Sequence, residues 1–492
     1  MKLTDIKLLQ DGLYIRRLPW LSVGGREIYY DDIVQIEPIS SDGRDVTSLV
    51  LKLKNNREVV LDLSSQDDVE RLKAELEETI RPKVIGDEKL FSFDLVADIC
   101  KELAVSRGAN IRKVVDFIIS QAVGHLASDI QIEYSEDGLH VFFKIDGVLF
   151  SVVTFELAVG ERIINCIKVA AGMILYRRDA IQEGRITHPT REGPQDLRVS
   201  VVPSEPGERV VIRMFDKLKG LSGIEDLGFS PEHLAELGRI TAAPQGLFII
   251  CGPSSSGKTT TLYALLRHLK LLRGHLASII TLEDPVEYRL AGITQVQIDS
   301  KGKLTFAKAL NSSLRQDPGV IMVGEIRDEE TADAAVRAAL TGHLVLSSVH
   351  CGSAAEAITR LLDLGVRPFL LNSSLNGVLC QRLIRKVCPG CVSVIEMDRD
   401  EWNLWGREAI PGSYVHGRGC EQCRDTGYRG RTVIAEFLAN RGEIGHLINN
   451  TSETDAIEKV AVAQGMIPLR KNGIMMILDG VTDPGEVKRV VG

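Results

Sequence analysis

No run of about 18 apolar residues occurs anywhere in the sequence, so no segment reads as a membrane-spanning helix. The first residues, MKLTDIKLLQDG, lack the apolar centre of an export signal. Positive charge is not in excess either. Lys and Arg number 59 against 67 Asp and Glu, a net charge of −8, which argues against nucleic acid as the main partner. These absences predict a cytoplasmic chain that reaches a membrane only by docking on another protein. Disulfides are not expected there, although cysteines number nine. Five of them, Cys100, Cys166, Cys251, Cys351 and Cys380, stand alone in the sequence and read as small buried apolar residues.

What is present suffices for several cores. The chain has 492 residues, 44% hydrophobic and 26% charged, which allows two to four domains. Residues 1–82 predict a small, pleckstrin-like β domain closed by a helix. Leu49, Leu51 and Leu53 alternate with other residues, Asn55-Asn56 supplies a turn, and Val59, Leu61 and Leu63 resume the alternation, as in a hairpin. Ser65 and Asp68 resemble a capping box, Val69, Leu72, Leu76 and Ile80 follow at helical spacing, and Pro82 ends the helix. Residues 83–94 read as a linker, and residues 95–220 as a mixed α+β block. Its pattern predicts a helix over 111–126 and strands over 128–134, 138–145 and 147–155. A helix near 160–173 and strands over 195–202 and 208–215 complete it.

From Gln245 the pattern becomes strand, loop, helix. Apolar strands over 246–252, 275–285, 318–328 and 343–350 predict a mostly parallel sheet covered on both faces. Ligands of such sheets sit at the carboxyl ends of the strands. There Gly252 and Gly257-Lys258-Thr259 fit G-x-x-x-x-G-K-[ST], between a strand and a helix. The loop of Gly252, Pro253, Ser254, Ser255, Ser256, Gly257, Lys258, Thr259 and Thr260 would wrap the phosphates of ATP, through the backbone N–H groups of all but Pro253. Lys258 would neutralise the β and γ oxygens, and Thr259 would hold Mg²⁺. Glu283 and Asp284 close the next strand, and Glu325 another. Gly324 stands where an aspartate often precedes such a glutamate, so Glu325 takes the metal side and Glu283 the polarisation of water. His343 and His350 frame the following strand, and a histidine there can sense a γ-phosphate. Ser255 fits the loop unstrained only if its φ stays negative.

CPGC and CEQC are separated by 28 residues. Cys388, Cys391, Cys420 and Cys423 therefore fit a structural, tetrahedral Zn²⁺ site with no open position.

Together these residues resemble the type II secretion and type IV pilus assembly ATPases. The resemblance runs over roughly 95–490, through TLEDPVEY (281–288), QVQI (295–298), and long blocks over 304–350 and 357–391. It places an Asp box on Glu283-Asp284, a Walker B on Gly324-Glu325 and a His box on His343 to His350. It implies a multidomain α/β chain in which a PAS-like block joins a RecA-like P-loop ATPase over 221–492. A zinc-binding subdomain over 388–430 and C-terminal helices belong to that part. A homohexameric ring is implied, with nucleotide bound where the two blocks meet. ASDIQIEY (127–134), KIDGVL (144–149) and QDLRVSVVPSEPGERVVIR (195–213) extend the resemblance upstream. It makes Arg198, Arg209 and Arg213 the arginines that reach the phosphates, capping charge on the γ-phosphate. The cysteine pairs resemble the assembly and secretion branch, since retraction motors generally lack them. The implied partners are an inner-membrane platform protein and a docking protein, with the ring peripheral to that membrane. Departures are Ser254 and Ser255 for Thr and Gly, Gln131 for His, Phe142 and Lys144 for Arg, and Asn311 for Arg. Two other readings stay open: an ATP-binding subunit of low turnover, and a motor acting on nucleic acid.

Overall fold

The computed structural model describes residues 6–8, 12–15, 26–29, 33–39, 48–53, 58–62, 91–105, 110–190, 193–214, 223–274, 277–299, 304–396, 412–450 and 453–492. The chain divides into two compact units, Met1–Phe215 and Asp216–Gly492.

In the first unit, Ser48–Leu53 pairs antiparallel with Glu58–Asp62, with Leu49 opposite Leu61 and Leu51 opposite Val59. That is the hairpin expected from the alternation. Ile33–Ile39 adds a third strand to it, and Ile6–Leu8, Gly12–Ile15 and Arg26–Tyr29 form a separate three-stranded sheet. The helix expected over 65–80 lies outside the described residues. After it, Phe93–Val105 is helical, so the helix begins inside the stretch read as linker.

A six-stranded antiparallel sheet follows. Its order is Gln182–Thr190, Gly193–Val202, Arg209–Met214, Asp129–Ser135, Gly138–Ile145, Val148–Phe155. Ile111–Gly124 packs on it through Val114, Val115, Ile118 and Ile119, against Ile130, Val141, Phe143 and Ile212. Asn110 caps that helix by accepting from the Arg112 N–H at 3.1 Å. Sequence pattern does not reveal the strand Gln182–Thr190. It is an edge strand, where Pro189 is tolerated and alternation is weak.

The second unit is built on a seven-stranded sheet. Its order is Thr294–Gln297, Ile279–Glu283, Val320–Val323, Leu344–Val349, Gly246–Cys251, Leu375–Val387, Tyr428–Ala439. The first six strands are parallel and only Tyr428–Ala439 runs the other way. Every residue of Gly246–Cys251 and of Leu344–Val349 is buried, as a sheet covered on both faces requires. Side-chain alternation divides these strands between two cores. Leu247, Ile249 and Cys251 join the core under the helices Glu329–Leu340 and Ala354–Asp363. Phe248 and Ile250 join the core under the helices Lys258–Arg273 and Pro231–Ala242. The phosphate-loop strand thus lies centrally, with the ends of Leu344–Val349 and Leu375–Val387 on either side.

Candidate functional site

The loop between Gly246–Cys251 and the helix Lys258–Arg273 turns through three left-handed residues, Gly252 (φ 149°), Ser255 (φ 62°) and Gly257 (φ 88°). Gly252 has no alternative, because a Cβ there would lie 2.5 Å from Ser256 Oγ and 2.6 Å from the Gln381 carbonyl oxygen. Ser255 has one. Its φ is positive, so the loop carries the strain that the sequence allowed for, roughly 1–2 kcal/mol for a residue with a Cβ. Gly257 caps the helix without a side-chain hydrogen bond, which leaves the first N–H groups for an anion. Ser256 Oγ is buried with no partner among the described residues, so the loop has an unused polar atom where a phosphate oxygen fits. Lys258 is buried, and its Nζ donates to the carbonyls of Gly252 at 2.8 Å and Pro253 at 2.9 Å. Burial pushes its ammonium below the usual lysine range, against the pull of Glu325. Thr259 and Thr260, the next two residues of the helix, are half-buried.

Glu325 and His350 reach the same place from two neighbouring strands. His350 Nδ1 lies 3.5 Å from Lys258 Nζ, and its Nε2 lies 3.7 Å from Glu325 Oε2. Burial and then the Lys258 charge hold His350 below the ordinary histidine range, so at neutral pH it is uncharged between the lysine and the carboxylate. Glu325 also pairs with Arg327. Ser348 fixes the bend before it, donating to the Gly324 carbonyl at 2.7 Å. His343 does not join them. It opens the strand that His350 closes, roughly 20 Å away along the strand, and its Nδ1 meets the Ala338 carbonyl at 3.0 Å.

Glu283 stands apart from this trio. It is 4% exposed, and both oxygens are engaged by Tyr263, Thr281 and Gln295. Asp284 beside it is exposed.

Several residues at the loop carried no signal in the sequence. Gln381 is 1% exposed; it donates to the Ser256 carbonyl at 2.7 Å and accepts from the Thr261 hydroxyl at 2.9 Å. Cys251 and Cys380 are separate in the sequence yet face each other on neighbouring parallel strands. Their thiols donate to the carbonyls of Ser353 and Gly352, each at 3.4 Å, and Arg382 adds a bond to Gly352 at 2.6 Å. The turn after His350 is thereby tied to the phosphate-loop strand. A polar Gln-Arg pair inside an apolar strand was the one available clue.

The three arginines lie in the first unit. Arg198 and Arg213 are cross-strand partners, and Arg185, which the sequence did not single out, is the next partner of Arg198. Arg213 pairs with Asp129 at 3.2 Å. Arg209 pairs with Glu133 at 3.2 Å and donates to Gln131 at 3.1 Å.

The four paired cysteines converge in the second unit, with all ligand atoms within 4.8 Å of one another. Sulfur separations of 3.9 Å for Cys388–Cys420 and 3.7 Å for Cys391–Cys423 and Cys420–Cys423 suit zinc. Four sulfurs 2.3 Å from a tetrahedral ion lie about 3.8 Å apart. Gly417 and Gly427 cross so closely that a Cβ on Gly417 would lie 1.9 Å from the Gly427 carbonyl oxygen. Beyond the cluster, His416 and Tyr428 both bond Asp483, which caps the final helix Pro484–Val491.

The family model described as "Type II/IV secretion system protein" matches residues 105–489. Type II secretion system protein E of Pseudomonas aeruginosa is 43% identical over 383 residues, 78% of this chain and 76% of that protein. The type IV pilus assembly ATPase PilB of Myxococcus xanthus is 38% identical over 437 residues, 87% of this chain and 76% of that protein. Among solved structures, the Legionella pneumophila ATPase DotB superposes with a TM-score of 0.56 at 20% identity, over 77% of this chain and 95% of that one. That likeness concerns the fold; the sequence matches reach further, and the chain belongs to the type II/IV secretion system protein family.

Proposed function

We propose that the chain is an ATP-hydrolysing motor that drives assembly of a type II secretion pseudopilus or a type IV pilus. The observation that carries this reading is the buried Lys258, tied to its own loop and set beside His350 and Glu325. Nucleotide phosphates offer Lys258 better acceptors than two carbonyls, so binding exchanges those bonds and draws the loop closed. His350, neutral between Lys258 and Glu325, registers the γ-phosphate. Thr259 and Glu325 would hold Mg²⁺, which supplies charge neutralisation along the phosphates. Glu283 polarises the attacking water, and Arg198, Arg209 and Arg213 cap charge at the γ-phosphate. In the fuller reading the first unit's six-stranded block is PAS-like and the second unit RecA-like. Six copies form a ring at the cytoplasmic face of the inner membrane, held by a platform protein and a docking protein. Cys388, Cys391, Cys420 and Cys423 hold a structural Zn²⁺.

The test is steady-state Mg²⁺-dependent ATP hydrolysis by the purified chain. Lys258→Ala and Glu325→Gln each lower turnover by at least about 100-fold; undiminished turnover in Lys258→Ala refutes the reading. A second reading, an ATP-binding subunit of low turnover, is favoured by the withdrawn Glu283 and the strained Ser255. Robust hydrolysis by the assembled ring ends it.

A further inference from the structure

Glu283 is the acid assigned above to water, yet it is buried and its oxygens are engaged by side chains. Its Oε2 accepts from the Tyr263 hydroxyl, and its Oε1 accepts from Thr281 Oγ1 at 2.5 Å and Gln295 Nε2 at 3.1 Å. These three bonds hold both carboxylate oxygens against protein groups.

Of the three donors, Tyr263 alone belongs to the phosphate-loop helix. It is five residues beyond Lys258, about 7.5 Å along the helix axis. It is wholly buried, accepts from the Glu287 N–H at 3.4 Å, and meets Tyr288 edge-on with ring centroids 4.6 Å apart. Burial, then the bond to Glu283, push its phenol far above the ordinary range, so it stays a donor at any working pH. The Tyr288 hydroxyl is buried with no partner among the described residues.

We propose that Tyr263 is a positioning residue that latches Glu283 in a withdrawn state until nucleotide shifts the phosphate-loop helix. Helix and loop move as one piece, because Lys258 and Tyr263 share an unbroken hydrogen-bonded segment. When Lys258 leaves the Gly252 and Pro253 carbonyls for phosphate, the Tyr263 hydroxyl moves relative to a carboxylate on a different strand. Glu283 then loses a donor and turns towards water. The inference rests on Glu283 being the water-polarising acid.

The experiment is Tyr263→Phe in the full chain, which keeps the ring and deletes the hydroxyl. We expect kcat for MgATP to rise about threefold to tenfold while KM for ATP holds within about twofold. A ring that only packs would not raise kcat. A kcat that stays level or falls overturns the latch, whatever happens to Tm. Should Tyr263→Phe not fold, Tyr263→Met also lacks the hydroxyl and is read the same way. Glu283→Gln separates the two ideas. Full activity in Glu283→Gln overturns the assignment of the acid. An inactive Glu283→Gln beside an unaltered Tyr263→Phe overturns the latch alone.

Discussion

Gln381 covers the phosphate loop through Ser256, its amide 2.7 Å from the Ser256 carbonyl, while its own oxygen accepts from Thr261. Replacement by leucine leaves the buried Ser256 carbonyl without its partner, a cost of about 1–3 kcal/mol, and leaves the Thr261 hydroxyl only its bond to the Gly257 carbonyl at 3.3 Å. Gln381→Leu should therefore lower Tm and weaken ATP binding by about tenfold in a fluorescent-nucleotide titration. Unchanged affinity would mean that the loop keeps its shape without this cover.

Ser255 occupies a conformation in which glycine is at ease. Ser255→Gly removes left-handed strain at some cost in chain entropy, a net gain of roughly 0.5–1 kcal/mol. Thermal unfolding should report a Tm about 2 °C higher, and nucleotide affinity should rise rather than fall. A lower Tm would show that the loop holds Ser255 by contacts outweighing the strain.

Glu486 is fully buried on the last helix and receives Arg385 and Arg489. Burial alone would raise its carboxyl; the guanidinium bonds from Arg489 and Arg385 outweigh it and hold the group below the ordinary glutamate range. A depressed folded pKa gives stability that is present above the unfolded value and lost as pH falls through the folded one. Glu486→Ala should cost about 3–5 kcal/mol near neutrality. In urea titrations at descending pH the gap to the parent chain should narrow only below about pH 4.5. A gap that is constant with pH would exclude the charge as its source.

The cysteine cluster should carry one zinc per chain by elemental analysis. Chelation should lower Tm and speed amide exchange in 484–491, because His416 and Tyr428 meet Asp483 from beside the knuckles. Exchange that stays slow in that helix after zinc loss would show that Arg385 and Glu486 suffice to hold it.

Much of this was readable in the sequence. The strand, loop and helix about Gly252, Lys258 and Thr259 follow from local periodicity and a spacing that phosphate chemistry dictates. The cysteine pairs are equally local. Contacts between distant strands were not legible. Cys251 and Cys380 look like ordinary members of apolar runs, Gln381 shows only as a polar residue within one, and only strand order sets them against the loop and the turn after His350. The two histidines illustrate the same limit: His343 and His350 frame one strand symmetrically, but only the carboxyl end of a parallel strand faces the ligand. For Glu283, sequence marks a strand-end acid, and its engagement by Tyr263 comes from a helix packed across that end.

The cover on the phosphate loop has a consequence for how the molecule is made. Gln381 is synthesised 125 residues after Ser256. At ribosomal speeds of about 5–20 residues per second, that delay is roughly 6–25 s. During it the nascent chain already exposes a glycine-lysine loop but lacks the strand that finishes it. The hydrogen bond that covers the Ser256 carbonyl is thus withheld until Leu375–Val387 has emerged and lain down beside Gly246–Cys251, so a truncated translation product ending before residue 381 lacks it.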